Sequence, residues 1–300
     1  MFLVTDCSVT DDPVLTGFER ETFICESCGL EDVVAPPIEA IPIALTPAPI
    51  PSKEELLRAV DSYLVDGRRS TVVLTYGWPM GIWDVSNIDD FATVFDADRN
   101  ERVKLFNEDL SRWNVTSAVT MERMFAGASS FNGNISPWAT GNVRSMREMF
   151  KDATSFQSDL SSWNTAGCLD MASMFEGADR FNGEVSNFQT SSVTDMRFMF
   201  RGAFSFMGRG LSSWDTSQCT NMAGMFEEAV SLQGDLSEWE VSSSVTMERM
   251  FRFANSWNSD ISDWDVSNVA SFALMVSMTL LANYWNRSIR PFSVQRRCGF

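Results

Sequence analysis

Three hundred residues, 44% hydrophobic and 21% charged, supply enough apolar material for a packed core and too little charge for a disordered chain. The absence of histidine removes Ser-His-Asp and Cys-His constellations, His-ligated zinc and the commonest general base. A net charge of -17 argues against a surface that holds phosphate backbones, so no nucleic-acid partner is expected.

Residues 1–32 read as an acidic, loosely folded N-terminal segment. The opening MFLVTDCSVTDDP has no basic residue and its apolar stretch ends at Asp6, too short for a signal-peptide core. Nine acids against the single Arg20 give the first 50 residues -8 of the total charge. Cys25 and Cys28 in CESC read as a free pair or a local disulfide rather than half of a zinc site, since no second pair lies nearby. Residues 33–51 hold six of the ten prolines and read as a semi-rigid spacer, with a recognition motif as the alternative. Residues 52–79 read as a helical N-terminal cap. Ser52 and Glu55 have capping-box spacing, Leu56, Leu57, Val60 and Leu64 share one helical face, and Gly67 stops the run.

Residues 80–292 are an array. Trp83, Trp113, Trp138, Trp163, Phe188, Trp214, Trp239 and Trp264 recur every 25 or 26 residues, apart from a first interval of 30 that carries an insertion around Asp98 to Leu105. The unit reads W-[DN]-[VT]-S-x-V-x-x-M-x-x-M-F-x-x-A-x-x-F-N-x-D-[LI]-S-x, and Trp285 to Phe292 form a degenerate last turn. The Met and Trp excess is this unit multiplied. Within it, M-x-x-M-F-x-x-A has the i, i+3, i+4, i+7 spacing of a short helix. The stretch F-N-x-D-[LI]-S-x-W alternates and reads as a short strand. The fold class expected is therefore an α/β repeat solenoid of about eight units, one short strand and one short helix per 25-residue turn, each unit burying its neighbour's apolar face. Residues 293–300 form a basic tail. With Arg287 and Arg290, its Arg296 and Arg297 read as a polar C-terminal cap, an anionic-surface contact being the alternative.

The repeat, together with SKEELLRAVDSYLVDG and LTYGWPMGIWDVSNIDDF ahead of it, resembles the 25-residue unit of mycoplasma surface lipoproteins, related to BspA-like leucine-rich-repeat surface proteins and to diatom-type arrays. The resemblance spans about residues 52 to 292. It implies a leucine-rich-repeat-like fold and surface or secreted proteins with adhesion roles.

Candidate chemistry is sparse. Cys168 and Cys219 stand in a column held elsewhere by Ile88, Val143, Val193 and Val269 and read as small core hydrophobes. The Met columns could bind a soft metal such as Cu(I), but beside Phe and Ala at this spacing they read as core. Asp109, Asp159, Asp235 and Asp260 share a column with Asn134, Glu184 and Arg209, either a structural polar ladder or a Ca²⁺ row. Asn107, Asn132, Asn182 and Asn258 could form an inward ladder, and sequons occur at Asn114, Asn134 and Asn286. No paired acid and base, phosphate loop or nucleophile elbow stands out, so no enzyme and no cofactor is expected. Interaction is expected on an exposed strand face that carries Arg112, Ser136, Ser161, Ser162, Ser186, Ser212, Ser213, Ser237, Glu238 and Asp263. Its partner would be a protein or a glycan, and the chain itself a monomer. A structural spacer or an intracellular binding module is the alternative, and a carboxylate-dependent hydrolase would need a pocket near the insertion at Arg99.

Overall fold

The backbone of each repeat is set by the second of the two residues inside its M-x-x-M segment, which is Phe91 to Val94 in the first unit and Phe272 to Met275 in the last. In the computed structural model, which describes residues 47–276, that residue is left-handed in every described unit. The positions are Thr93 (φ 63°), Arg123 (55°), Glu148 (54°), Ser173 (56°), Phe198 (56°), Gly224 (59°), Arg249 (56°) and Leu274 (57°). A second left-handed position follows four residues later, at Gly127, Asp152, Gly177, Gly202, Glu228 and Phe253. A right-handed helix cannot run through such residues. Met121, Met124, Phe125 and Ala128 are all fully buried, as their spacing requires. They ride on consecutive tight turns, closed by Met124 N to Met121 O (3.1 Å), Ala126 N to Arg123 O (3.1 Å) and Ala128 N to Phe125 O (3.1 Å).

The same alternation aims every second amide at the next unit. Met121, Arg123, Phe125 and Gly127 donate to the carbonyls of Ser145 (3.0 Å), Arg147 (2.9 Å), Met149 (2.9 Å) and Lys151 (2.7 Å). Met146, Glu148, Phe150 and Asp152 donate likewise to Asp170, Ala172, Met174 and Glu176. A parallel strand pair exchanges bonds in both directions, whereas along this stretch they run one way. The return bond is made beside the ladder's first rung, for example Arg144 N to Val119 O (2.8 Å) and Leu169 N to Arg144 O (2.9 Å). What results is a row of isolated parallel bridges, Asp90–Thr120–Ser145–Asp170–Asp195–Asn221–Thr246–Ser271. The stretch expected as a strand is also turns, closed by bonds such as Trp163 N to Leu160 O (3.0 Å).

The expected α/β solenoid of leucine-rich-repeat type, with a strand and a helix per unit, is therefore corrected. Among the described residues α-helix occurs only at α1 (Lys53–Asp66) and α2 (Val72–Tyr76), ahead of the repeats, and no strand is present. The remaining helical pieces are single 3-10 turns at Gly67–Arg69, Met80–Ile82, Glu101–Leu105 and Leu211–Ser213.

Aromatic columns fill the core. Phe125 stacks on Phe131 of its own unit (4.0 Å, 7°) and on Phe150 of the next (5.7 Å, 1°). Trp113, Trp138 and Trp163 stack at 6.5 and 6.3 Å, both 7° from parallel. Each indole also finds an acceptor, Trp138 Nε1 donating to Leu110 O (2.9 Å) and Trp214 Nε1 to Val185 O (2.9 Å) in the unit before. Full burial of such a ring is worth about 2–3 kcal/mol, so the columns outweigh the individual hydrogen bonds. Cys168 and Cys219 are fully buried free thiols in this core.

Ahead of the first unit, Ser52 Oγ accepts from Glu55 N (3.3 Å), Gly67 ends α1, and Leu56 and Val60 are buried. The first unit lacks a preceding unit to donate to its carbonyls. Arg99, from the insertion, takes that place, donating through Nη2 to Val94 O (2.6 Å) and Nε to Thr93 O (2.9 Å). Its Nη1 binds Asp61 of α1 (2.6 Å), and Lys53 pairs with Asp90 (2.8 Å). The insertion is thus a clamp between α1 and the array. The acidic segment 1–32, Cys25 and Cys28, most of the Pro-rich linker, Trp285 to Phe292, Asn286 and the basic tail lie outside the described residues. Arg287, Arg290, Arg296 and Arg297 lie outside them as well.

The left-handed column gives a paired test by calorimetry. Thr93→Gly removes a β-branched residue from a left-handed position and is expected to raise the Tm by roughly 2 °C. Gly224→Ala places a Cβ at φ 59° and against the Phe198 ring, and is expected to lower it by about 4 °C or more. The opposite ordering would contradict the backbone described here.

Candidate functional site

One corner of every unit presents two exposed or half-exposed residues on a tight turn, and the residues expected on an exposed strand face are found there instead. Ser111–Arg112, Ser136–Pro137, Ser161–Ser162, Ser186–Asn187, Ser212–Ser213, Ser237–Glu238 and Ser262–Asp263 fall into one column. The turn is built locally. The acid or amide two residues before the Ser accepts the Ser amide: Asp109 Oδ1 from Ser111 (2.8 Å), Asn134 from Ser136 (3.0 Å), Asp159 from Ser161 (2.9 Å). Glu184, Asp235 and Asp260 do the same for Ser186 (3.1 Å), Ser237 (3.0 Å) and Ser262 (3.0 Å). A short polar side chain that caps its own backbone two residues on is the usual device of such turns. Where Arg209 replaces the cap, Gly210 (φ 84°) and the 3-10 turn Leu211–Ser213 take over.

The acid column, expected as a structural polar ladder or a Ca²⁺ row, is accordingly a series of local turn caps. Each carboxylate is held on its own turn, and the Ser161 and Ser237 amides keep Asp159 and Asp235 below the usual Asp range. Among the described residues no group of three or more Cys, Asp or Glu is placed to hold a metal ion. The sequon residues Asn114 and Asn134 are turn caps too, Asn114 Oδ1 accepting from Thr116 N (3.2 Å). An Asn ladder does form, but on the surface. Asn107 Oδ1 accepts Asn132 N (2.7 Å), Asn132 Oδ1 accepts Gln157 N (2.7 Å) and Asn182 Oδ1 accepts Met207 N (3.0 Å).

The second turn residue divides the column into two kinds. Ser162 Oγ, Asn187 Nδ2 (3.0 Å) and Ser213 Oγ (2.9 Å) donate to the carbonyls of Ser136, Ser161 and Ser186 in the preceding unit. These three side chains lock turn to turn. Arg112, Glu238 and Asp263 are exposed, and no hydrogen bond or ion pair ties their side chains to other described residues.

At a different corner runs a charge column that sequence reasoning missed. Arg123 binds Asp96 (2.7 Å), Asp98 (2.6 Å) and Glu148 (2.7 Å), which holds its guanidinium protonated well above the ordinary value. Lys151 and Arg201 meet Glu176 at 3.7 and 2.6 Å, and Arg252 meets Glu227 at 2.9 Å. Glu176 and Glu227 are buried, so removing the cation would strand a charge. Alternating sign at the 25-residue spacing was the available signal. Burial pushes the Cys168 and Cys219 thiols up to about 12, and each lies near a backbone carbonyl, Asp170 O (3.4 Å) and Asn221 O (3.5 Å).

The family model described as Mycoplasma protein of unknown function, DUF285, matches residues 75–188 and 169–289, together most of the chain. The chain belongs to that family. The match covers the turn column and the charge column alike and shows a repeat family of uncharacterised role. No curated protein and no solved structure matches the chain. No helix of the described residues is long and apolar enough to cross a membrane.

One neighbouring pair yields a pH test. Asp170 sits in the bridge column next to Asp195, and desolvation first, then Asp195, raise its pKa against the Ala172 amide that donates to it and the weaker pull of Arg147 and Arg197. A raised folded pKa means the ionised form is penalised in the fold. The penalty is absent below the ordinary Asp value, grows above it, and is complete above the raised folded value. Asn221 fills the same column and caps Ala223 N (3.1 Å) as Asp170 caps Ala172 N (2.8 Å). Asp170→Asn is expected to raise the Tm at pH 7, and the gain should vanish as pH falls below 4. A gain that persists in acid, or a loss at pH 7, would contradict this assignment.

Proposed function

We propose that this chain is a non-catalytic binding protein whose exposed column of turns docks a protein or glycan partner. The observation that supports the reading is a constant frame with variable contents. The same cap fixes the turn backbone at Ser111, Ser136, Ser161, Ser186, Ser237 and Ser262, while the next residue changes from Arg112 through Pro137 and Ser162 to Glu238 and Asp263. A rigid scaffold carrying exposed, differing side chains is how repeat arrays and loop-based binders present recognition surfaces. Resemblance to mycoplasma-type and BspA-like surface proteins supports placing this face on the cell surface or in secreted form, with adhesion as the biological outcome.

A second reading, a structural spacer without a discrete ligand, is favoured by the turn-to-turn bonds of Ser162, Asn187 and Ser213, which give those side chains an internal role.

The test measures labelled full-length chain on arrays of printed glycans and matrix proteins. Arg112→Ala/Glu238→Ala/Asp263→Ala is expected to lower apparent affinity ~10-fold or more, because charged contacts are the ones lost. The Tm should stay within about 1 °C, as changes at exposed sites away from structural contacts do. Glu248→Ala, at another corner, should leave binding intact. Failure of the wild-type chain to bind any printed ligand would favour the spacer. Equal losses from Glu248→Ala would remove the turn column from the reading.

A further inference from the structure

The residue after the Trp of each unit belongs to a second column of turn caps. Asp84, Asn114, Asn164, Asp215 and Asp265 accept through Oδ1 the amide two residues on, that of Ser86 (3.0 Å), Thr116 (3.2 Å), Ala166 (3.1 Å), Ser217 (3.0 Å) and Ser267 (3.0 Å). This turn therefore tolerates Asp or Asn at the cap, and Ser, Thr or Ala two residues later. Within the column an asparagine cap and a hydroxyl two residues on coincide only at Asn114-Val115-Thr116.

Such a tripeptide is the acceptor motif for an N-linked saccharide, and the fold adds the state of its carboxamide. Asn114 Oδ1 accepts from both Thr116 N (3.2 Å) and Thr116 Oγ1 (2.7 Å), which fixes the oxygen and nitrogen ends of the amide. Asn114 Nδ2 is then left with no hydrogen-bond partner among the described residues. Asn100, Asn142, Asn187 and Asn268 instead spend Nδ2 on Asp61 (2.7 Å), Thr116 O (2.8 Å), Ser161 O (3.0 Å) and Ser242 O (2.6 Å). Asn114 and Thr116 are exposed, while Val115 between them is buried and anchors the turn. The other described sequon, Asn134-Ile135-Ser136, also has its Oδ1 engaged, by Ser136 N (3.0 Å) and Ser136 Oγ (2.8 Å). It is followed at once by Pro137, which restricts the backbone of Ser136. Thr116 is followed by Ser117 and carries no such restriction.

We propose that Asn114 is the acceptor of an N-linked oligosaccharide, a modification that rests on the surface or secreted placement proposed above. The donor is a lipid-diphosphate-linked oligosaccharide, presented by an oligosaccharyl transferase. Asn114 Nδ2 forms a bond to the anomeric carbon as the bond from that carbon to the diphosphate oxygen breaks. The lipid diphosphate leaves with the electron pair, and Nδ2 gives one proton to a base of the transferase. The product is a secondary amide that keeps one N–H. Oδ1 takes no part in the new bond, so the cap on Thr116 N survives the modification. Asn114 is exposed in the finished fold, so a saccharide added to the nascent chain does not obstruct packing.

The test expresses the full chain behind a cleavable secretion leader in a eukaryotic cell line and collects it from medium and secretory membranes alike. Digestion with peptide-N-glycosidase in heavy-oxygen water, followed by peptide mass spectrometry, is expected to place the heavy-oxygen label at Asn114. Two variants copy turns the fold already contains. Asn114→Asp repeats the caps of Asp84, Asp215 and Asp265, and Thr116→Ala repeats Ala166 behind Asn164. Once deglycosylated, both should melt within about 1 °C of the wild type, yet both should lose the saccharide. Thr116→Ser should retain it. Chain isolated from its native cells should carry the same label. An unlabelled Asn114 in the cell line overturns the assignment, as does label that persists in Thr116→Ala or that falls on Asn134 alone. Label in the cell line but not in native chain rejects the surface placement and the modification with it. An unmodified Asn114 beside intact capture on the protein and glycan arrays rejects the modification and leaves the turn-column reading standing. A labelled Asn114 in a chain that captures nothing does the reverse.

Discussion

A left-handed residue between two inward apolar side chains, methionines in six of the eight described positions, is the constraint on which this structure depends. It costs a non-glycine residue about 1–2 kcal/mol, and only Gly224 of the eight positions avoids that cost. What it makes possible is larger. It brings both Met side chains and the following Phe to the inside while turning every second amide toward the next unit. Four hydrogen bonds per junction then run in one direction, and the rings come into register at 5.6 to 5.7 Å along the Phe125–Phe150–Phe175–Phe200–Phe226 column. Neither part stands without the other. The one-way ladder would expose its amides to water without the packed columns, and the columns would lose their register without the ladder.

A one-way ladder also has an open end. The clamp at Arg99 follows from that, since the carbonyl of Val94 has no preceding unit to donate to it and α1 has no donor directed at it. Five inserted residues supply a guanidinium that reaches this carbonyl and Asp61 together. Stacking imposes a similar logic on charge. Side chains of one column meet their own kind at each repeat, so like charges are tolerated only where a turn cap or a counter-ion intervenes. Asp159 and Asp235 are quieted by their own turns, Arg123 and Glu148 by each other, and Asp170 beside Asp195 is left raised.

The interior was largely legible in the sequence. Met121, Met124, Phe125, Ala128 and the Trp column are buried where their spacing puts them, because burial follows side-chain direction and the periodicity reports direction. The backbone that achieves it was not legible. Arg123, Glu148, Ser173 and Phe198 give no compositional sign of a left-handed conformation, which glycine would have advertised, and two tight turns present the same i, i+3, i+4, i+7 face as a helix. The supposed strand failed for a related reason. The alternation in Phe156 to Trp163 reflects the cap of Asp159 on Ser161, an Asx turn that mimics period two. At the candidate corner, the repeat spacing brings Arg112, Ser161, Ser237 and their counterparts into one exposed column, carried by capped turns and not by the strand expected. The caps were in view as an acid column, but their i to i+2 geometry belongs to the folded turn.

The central claim is the one-way ladder, and through-hydrogen-bond nitrogen–carbonyl couplings measured by NMR on perdeuterated full-length chain address it directly. The amide nitrogen of Phe150 should couple to the carbonyl carbon of Met174 in the following unit, across the 2.9 Å bond. A coupling from Phe150 to the carbonyl of Met146, four residues back, would mark an α-helix and contradict the account.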